Sequence, residues 1–540
     1  MKPQWYVITQ LLDSKLFRKA TILQTRSVRS IYGTCYGQYI QNIQIKTLRC
    51  ASHRSSTTDA AQMGEISGQD STEIKPFSQI PGPKGLYNIP FLGTAFHFKP
   101  FTKYVPDDLL NVLSDARDKY GDIVKMRMGK DYIVYVYHPD YAKTVFQFPY
   151  KEHLRIGLDL SETFHDRSGV PRDLGTLQGD AWAALRKPSQ EKMLRPAVVA
   201  NYVPLIERVT NDFVEELRKK GSVDDLLKEL MNYTTESVAM LCFNRRLGYL
   251  ESNSDTEIVN LITKFFIDFQ TSITMPFKTY KLFRTKLYKR FEKTYLDIYR
   301  IGKKEISAQR KMLEKLQKEG DLDQYLQDEP NFIYSLLNDT RMTDEKINSV
   351  IMSLFIAGID STANTIAFVL INLALNPEKQ DRLYQEIKET MGDENTLTKE
   401  HLAEMSYLKA CVKESQRLVF PLMLGAIRYL EEDIVLAGYH IPKNTLVHPN
   451  MNSMTLDERF YPRPTEYIPE RWIRDTNDDI AKGQDFPFGM MPFGFGPRGC
   501  IGQRFAETEM YIGVAKNARH VGGVLCQGSL SLFDGFSSVL

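Results

Sequence analysis

The sequence predicts a mainly α domain with a small β region, and three observations predict it. From about Val198 to Leu418 apolar residues recur with a helical period, interrupted only by turns. Ahead of that stretch, Ile123–Met128 and Tyr132–Tyr137 alternate apolar and polar residues on either side of Gly129-Lys130-Asp131, a hairpin signal. Beyond it, the stretch from Ile427 to Val447 is short and β-rich. Many helices flanked by a little β argue for one mainly α domain. The chain has 540 residues, 42% of them hydrophobic, enough for a large core. A net charge of +2 gives no nucleic-acid-binding character to the chain as a whole. Six cysteines (Cys35, Cys50, Cys242, Cys411, Cys500, Cys526) lack paired spacing, which argues against a disulfide framework and a zinc site.

Residues 1–75 read as a presequence and a polar linker. The first 58 residues hold nine Lys or Arg and one acid, Asp13. They are rich in hydroxyl side chains and have no apolar run near the ~20 residues of a membrane span. Arg-rich, acid-poor composition of this kind reads as a mitochondrial transit peptide, the other reading being a disordered basic tail. Ile80-Pro81-Gly82-Pro83-Lys84-Gly85 is a stiff turn that starts the folded part. Asp107–Lys119 reads as a helix.

Residues 344–375 form one long helix candidate. Thr343 caps it, Asp344 and Glu345 suit its first turn, and Asn376-Pro377 ends it. At 1.5 Å per residue it runs about 48 Å, the width of a domain. Its middle reads Ala357-Gly358-Ile359-Asp360-Ser361-Thr362. Gly358 has two readings, close helix packing or a local opening against a ligand or water. Asp360 in a largely apolar helix favours the opening, because a buried carboxylate needs a partner or a task.

The chemistry centres on Phe493-Gly494-Phe495-Gly496-Pro497-Arg498-Gly499-Cys500-Ile501-Gly502. So many glycines imply a sharp bend or a close approach to something large and flat. Backbone N–H groups are expected to point at the Cys500 sulfur. The residues from Gln503 to Lys516 read as a helix, whose N-terminus also favours a thiolate. Two other readings compete: a buried structural cysteine, and a dinucleotide loop through Gly494-x-Gly496-x-x-Gly499. The second is weak because no β-rich run precedes it and no βαβ unit follows.

Elsewhere, Glu414 and Arg417 stand three apart on a predicted helix, Met405–Leu418, and share a face. Arg471 lies in Tyr467-Ile468-Pro469-Glu470-Arg471-Trp472. Trp182 and Arg186 are one helical turn apart. With F-x-x-G-x-R-x-C-x-G and A-G-x-D-[ST], the set resembles cytochrome P450 enzymes, from about Pro76 to Lys516. The resemblance implies the P450 fold and a haem b cofactor ligated axially by the Cys500 thiolate, within the Phe493–Gly502 loop. It implies a monooxygenase that inserts one oxygen atom from O2 into a lipophilic substrate, steroid-like or foreign. The thiolate favours O–O cleavage, and Asp360 with Ser361 relays protons. Thr362, about 100° further round the helix, is a poorer relay. Trp182, Arg186 and Arg498 are expected on the haem propionates. Arg428 is a third cation for them, or else a surface charge near Glu431 and Glu432. Glu414, Arg417 and Arg471 are expected to form a buried charge network behind the haem.

The chain has no flavin or iron–sulfur module of its own. With the presequence, this resembles the mitochondrial class, which lies on the matrix side of the inner membrane. That class takes electrons from a [2Fe–2S] ferredoxin, of the adrenodoxin type, and its NADPH-dependent reductase. Lys409 and Lys413 match its ferredoxin-docking pair, the alternative being two solvated lysines. The basic, aromatic stretch Lys278–Lys304 has two readings, contact with an anionic membrane surface or a solvated helix face. The pattern departs from the family in three places. Ser361 stands where most members have Thr, so proton delivery is expected to be looser. Gln503 stands where mitochondrial members often have a basic residue. After Lys516 the helix pattern stops, and residues 517–540 are expected to replace the usual terminal β-hairpin. A haem-binding but catalytically poor form is therefore the alternative reading.

Overall fold

Chain order sets the architecture of the computed structural model, which describes residues 73–525 apart from 155–157, 222, 224, 252–256, 276, 329–330, 420–426 and 474–478. The expected presequence, up to residue 72, and the segment 526–540 lie outside the described residues. The longer helices are α1 Leu109–Tyr120, α2 Pro139–Gln147, α3 Asp159–Ser168, α4 Gly179–Met193, α5 Val203–Lys220, α6 Leu226–Phe243 and α7 Glu257–Thr274. They continue with α8 Lys286–Glu319, α9 Asp344–Leu375, α10 Pro377–Met391, α11 Ser406–Leu418 and α12 Gln503–Leu525.

The hairpin pairs β1 Ile123–Met128 with β2 Asp131–Val136, with Ile123 opposite Val136 and Met128 opposite Asp131. Gly129 takes φ 65° at the turn, so Asp131 belongs to the strand rather than the loop. Four later strands follow: β3 Arg428–Tyr429, β4 Ile434–Leu436, β5 Tyr439–Ile441 and β6 Leu446–Pro449. They account for the β-rich stretch. β6 runs parallel to β2 and antiparallel to β3, which closes a four-stranded sheet in the order β1-β2-β6-β3.

The main core belongs to the helices. α9 runs through it, capped by the Thr343 hydroxyl on the Lys346 amide and ended at Asn376, before Pro377. It is long and apolar enough to span a membrane, but most of it is buried inside the fold. It packs along α6 and against α11 and α12. At Gly358 the helix is unbroken, and a Cβ there would lie 3.0 Å from a Val238 methyl. Close packing on α6, not the expected opening, explains this glycine.

The last helix corrects a second expectation. It does not stop near Lys516 but runs to Leu525. The Asn517 amide donates to the Gly513 carbonyl at 2.7 Å, and Arg519 donates to the carbonyls of Glu394 (2.5 Å) and Gly392 (3.2 Å). Gly522 and Gly523 weaken a helix by roughly 1 kcal/mol each, which obscured the pattern. Those tertiary bonds at its base offset the weakness.

Candidate active site

The Cys500 loop crosses one wall of a cavity of about 470 Å³. Gly494 and Gly496 take φ of 73° and 71°, the left-handed region that glycine enters without strain. A Cβ on Gly499 would meet the Gly496 carbonyl oxygen at 3.1 Å. The Gly494, Gly499 and Cys500 amides donate to the carbonyls of Met491, Gly496 and Phe493 at 2.8–2.9 Å. These three bonds fold the loop. α12 begins three residues after Cys500, and its N-terminal dipole favours negative charge there. Cys500 is exposed to the cavity, whereas Cys242 and Cys411 are buried with thiols pushed up by burial. Among the described cysteines it is the one placed to ligate. No strand immediately precedes this loop, so the dinucleotide reading fails.

Three guanidinium groups crowd the same region. Arg186, on α4, donates to the Gly499 carbonyl at 2.9 Å and to Gln190 Oε1 at 3.0 Å. Burial pulls it down to about 10, while the neighbouring Cys500 opposes that shift. Arg498 donates to the carbonyls of His153 (2.9 Å) and Leu177 (3.0 Å) and to Gln178 Oε1 (2.9 Å). It also falls to about 10, through burial and then the charges of Arg428 and Arg186. Arg428 is only 4% exposed, beside the Phe146 ring and the Phe495 carbonyl. The surface reading of Arg428 is therefore wrong. Glu431 is instead held by the amides of Lys151, Glu152 and His153. Trp182, 5% exposed, lies under Arg498 and lines the cavity with it.

Residues of α9 form another part of the wall, where Asp360, Ser361 and Thr362 all line the cavity. Burial raises the Asp360 carboxyl to about 7. That value suits a group that both takes and gives protons near neutrality. The Ser361 hydroxyl donates to the Ala357 carbonyl at 2.7 Å. The remaining lining is largely apolar, including Leu241, Phe265, Phe269, Leu354 and Ile356.

Glu414, Arg417 and Arg471 come together behind the loop, each at most 1% exposed. Both Glu414 oxygens accept from Arg417, at 2.8 and 2.9 Å. Arg471 Nε (3.1 Å), the Ile468 amide (3.0 Å) and the Trp472 indole (2.9 Å) complete the carboxylate. The other guanidinium edges reach the carbonyls of Thr455, Pro464, Glu466 and Arg463. A carboxylate this fully hydrogen-bonded is tolerated in a dry interior. It pins the segment 455–472 to α11.

Beside this network, Lys409 and Lys413 line an open hollow of about 850 Å³ with Trp472, Gln503 and Glu507. Lys413 is exposed, and its Nζ lies 4.0 Å from the Trp472 ring centroid. Sequence reasoning missed His153, Leu177 and Gln178, which hold Arg498 through a carbonyl or an amide oxygen. They belong to two loops with no periodicity, before α3 and before α4, and His153 takes an unusual φ of 51° that no residue type announces.

The residues present fit an iron porphyrin. There is one thiolate donor, a glycine-rich wall, and three crowded cations to meet two propionates. This defines a haem-thiolate protein. The sequence profile of the Cytochrome P450 family matches residues 83–518, and the chain belongs to that family. It is 30% identical to a probable cytochrome P450 12a5, mitochondrial, of Drosophila melanogaster, over 83% of this chain and 86% of the relative. It is likewise 30% identical to cytochrome P450 10 of Lymnaea stagnalis, over 87% and 85%. A rat 1,25-dihydroxyvitamin D(3) 24-hydroxylase, mitochondrial, is 26% identical over 82% of each chain. The protein is a mitochondrial haem-thiolate monooxygenase. Enzymes of this class use ferredoxin-type electron donors and lipophilic substrates. The alternative of a catalytically poor form finds no support in the family match or the relatives.

Proposed function

We propose that this chain hydroxylates a steroid-sized lipophilic substrate, with Cys500 as the axial ligand and electrons from a mitochondrial [2Fe–2S] ferredoxin and its NADPH-dependent reductase. One observation carries the reading: a single, mainly apolar cavity has Cys500 on one wall and Asp360 with Ser361 on another. When bound, the haem supplies the oxygen-activating chemistry of the family. The protein's own residues do the rest. Arg186, Arg428, Arg498 and Trp182 hold and orient the propionates. The apolar wall excludes bulk water and receives the substrate. Asp360, poised near pH 7, takes a proton and passes it to the Ser361 hydroxyl, which is held on the Ala357 carbonyl. Thr362 lines the same wall as a secondary hydroxyl. The Glu414–Arg417–Arg471 network keeps the loop's support rigid.

Lys409 and Lys413 form the cationic part of the donor-docking face. The nearby carboxylate of Glu507, bonded by Gln503 at 3.1 Å, tempers that charge. Residues 1–75 deliver the chain to the matrix. For contact with the inner membrane, the Lys278–Lys304 stretch offers mainly its start. Its helix, from Lys286, buries Tyr288, Phe291 and Tyr295 and turns its basic side chains to solvent. Phe277, Leu282 and Phe283, 48–76% exposed beside Lys281 and Arg284, are left as the apolar contact.

The test is reconstitution with ferredoxin, reductase, NADPH and O2 against a panel of steroids. Oxygenated product that disappears when ferredoxin alone is omitted supports the proposal. Equal turnover with a microsomal flavoprotein reductase, or none with any lipophilic substrate, refutes it.

A further inference from the structure

The apolar cavity contains a carboxylate that the proton relay does not use. Asp173 lies in the loop between α3 and α4 and lines the cavity with Tyr295 of α8. Its Oδ1 is committed to the loop, accepting from the amides of Gly175 and Thr176 at 3.0 Å each and from the Thr176 hydroxyl at 2.9 Å. Its Oδ2 accepts from Tyr295 Oη at 3.3 Å. Burial, and then the Asp173 charge, hold the Tyr295 phenol well above its usual range, so it stays a donor. A carboxylate oxygen has two acceptor sites, so one remains.

Behind this oxygen, the His165 ring is 1% exposed. Its Nδ1 lies 3.0 Å from the Val170 carbonyl, which fixes the proton on Nδ1. Its Nε2 makes no hydrogen bond among the described residues and stands 3.9 Å from Asp173 Oδ2, too far for one. A buried, unpaired nitrogen beside a half-used carboxylate marks a polar spot in an apolar wall.

Its place along the cavity is fixed by α9. The Leu174 amide donates to the Ser353 hydroxyl at 3.3 Å and the Arg172 carbonyl accepts from the Ser349 hydroxyl at 3.2 Å, so Asp173 lies between the levels of Ser349 and Ser353. Ser353 and Ser349 precede Ser361 by eight and twelve residues, which is about 12–18 Å along the helix. A rigid tetracyclic skeleton reaches the near end of that span.

We infer that Asp173 is a specificity-determining residue, selecting substrates that carry a hydroxyl or amine donor about 12–18 Å from the carbon to be oxidised. The donor hydrogen-bonds to Asp173 Oδ2, with Tyr295 orienting that oxygen. The inference rests on the monooxygenase reading of this cavity. A site built to hydrogen-bond a substrate group rejects analogues that lack it.

The test titrates the ferric holoenzyme with 5α-androstane, 5α-androstan-3β-ol, the 3β-amine and the 3-ketone, following the Soret shift. The ketone keeps the shape but only accepts. The alcohol or the amine should bind about ten-fold more tightly than the ketone and the parent, and turnover should oxidise the far, D-ring end. A preference for the amine identifies an ammonium ligand, and a preference for the alcohol a hydroxyl; either supports the inference. In Asp173→Asn the amide oxygen takes over the loop bonds, so its NH2 faces the ligand and the preference should shift toward the ketone. Tyr295→Phe frees an acceptor site and should leave the alcohol's advantage intact or larger. Equal binding of alcohol, amine and ketone to the native enzyme, an unchanged order in Asp173→Asn, or no binding of any probe overturns the inference. A normal reduced-CO thiolate band and ferredoxin-dependent turnover in the same preparation separate that outcome from failure of the monooxygenase reading.

Discussion

The guanidinium carbon of Arg498 lies 3.9 Å from the centroid of the Trp182 ring. The stack occupies one face of the guanidinium and leaves its edge for His153, Leu177 and Gln178. One arginine thereby ties the Cys500 loop to α4 and to the loops that precede α3 and α4. Arg498→Lys keeps the charge and loses the planar fork. It should weaken haem retention by about 1–3 kcal/mol, measured as faster haem transfer to apomyoglobin. An unchanged transfer rate would mean that Arg498 only braces loops.

The Glu414 carboxylate accepts five hydrogen bonds from two arginines, one indole and one amide. Glu414→Ala leaves two buried guanidinium groups without their anion. That should cost about 3–5 kcal/mol, read as a large drop in Tm and a shift of the reduced-CO band toward the inactive form. A Tm change under one degree would show that the network is dispensable.

Much of the fold was legible because its signals are local. Thr343, Asn376 and Pro377 mark the ends of α9 in the sequence, and the apolar run between them is too long to be anything but a helix. Glu414 and Arg417 share a face by spacing alone. What needed the structure depends on distant pairs. Asp173 and Tyr295 are 122 residues apart and meet only through packing. Arg428 kept a surface reading beside the propionate one because Glu431 and Glu432 follow it, yet Glu431 is drawn off by three backbone amides. Two glycines hid the end of α12, because helix propensity cannot count the carbonyls that Arg519 finds across the fold.

Asp360 gives a pH signature. Burial raises its carboxyl to about 7 in the folded protein, against about 4 in the unfolded chain. The folded state therefore binds this proton more tightly. Stability from this group is full below about pH 4 and is lost as pH rises through about 7. Asp360→Asn should flatten that slope, so its advantage over the native enzyme grows from about pH 5 to about pH 8, by a few kcal/mol at most. Unfolding by denaturant at several pH values reads it. The same variant should lower kcat about 10²-fold and divert electrons to hydrogen peroxide. A parallel pair of stability profiles would remove Asp360 from the list of buried titrating groups.

Lys409 and Lys413 face the hollow in which an acidic donor would dock. Charge reversal at both should raise the apparent KM for ferredoxin, steeply at low salt and weakly at high salt. Reduction by dithionite should proceed as before. Lys413 also covers the Trp472 ring, so Lys413→Gln serves as a milder partner variant with a smaller effect. Salt-independent kinetics would mean that the two lysines are merely solvated.

The most direct measurement is the reduced, CO-bound difference spectrum of the purified chain and of Cys500→His. The native protein should show the long-wavelength Soret band of a thiolate-ligated haem, and Cys500→His should bind haem but lose that band to the shorter-wavelength position of imidazole ligation. A thiolate band that survives in Cys500→His, or one that never forms in the native protein, would contradict the assignment of Cys500 as the axial ligand.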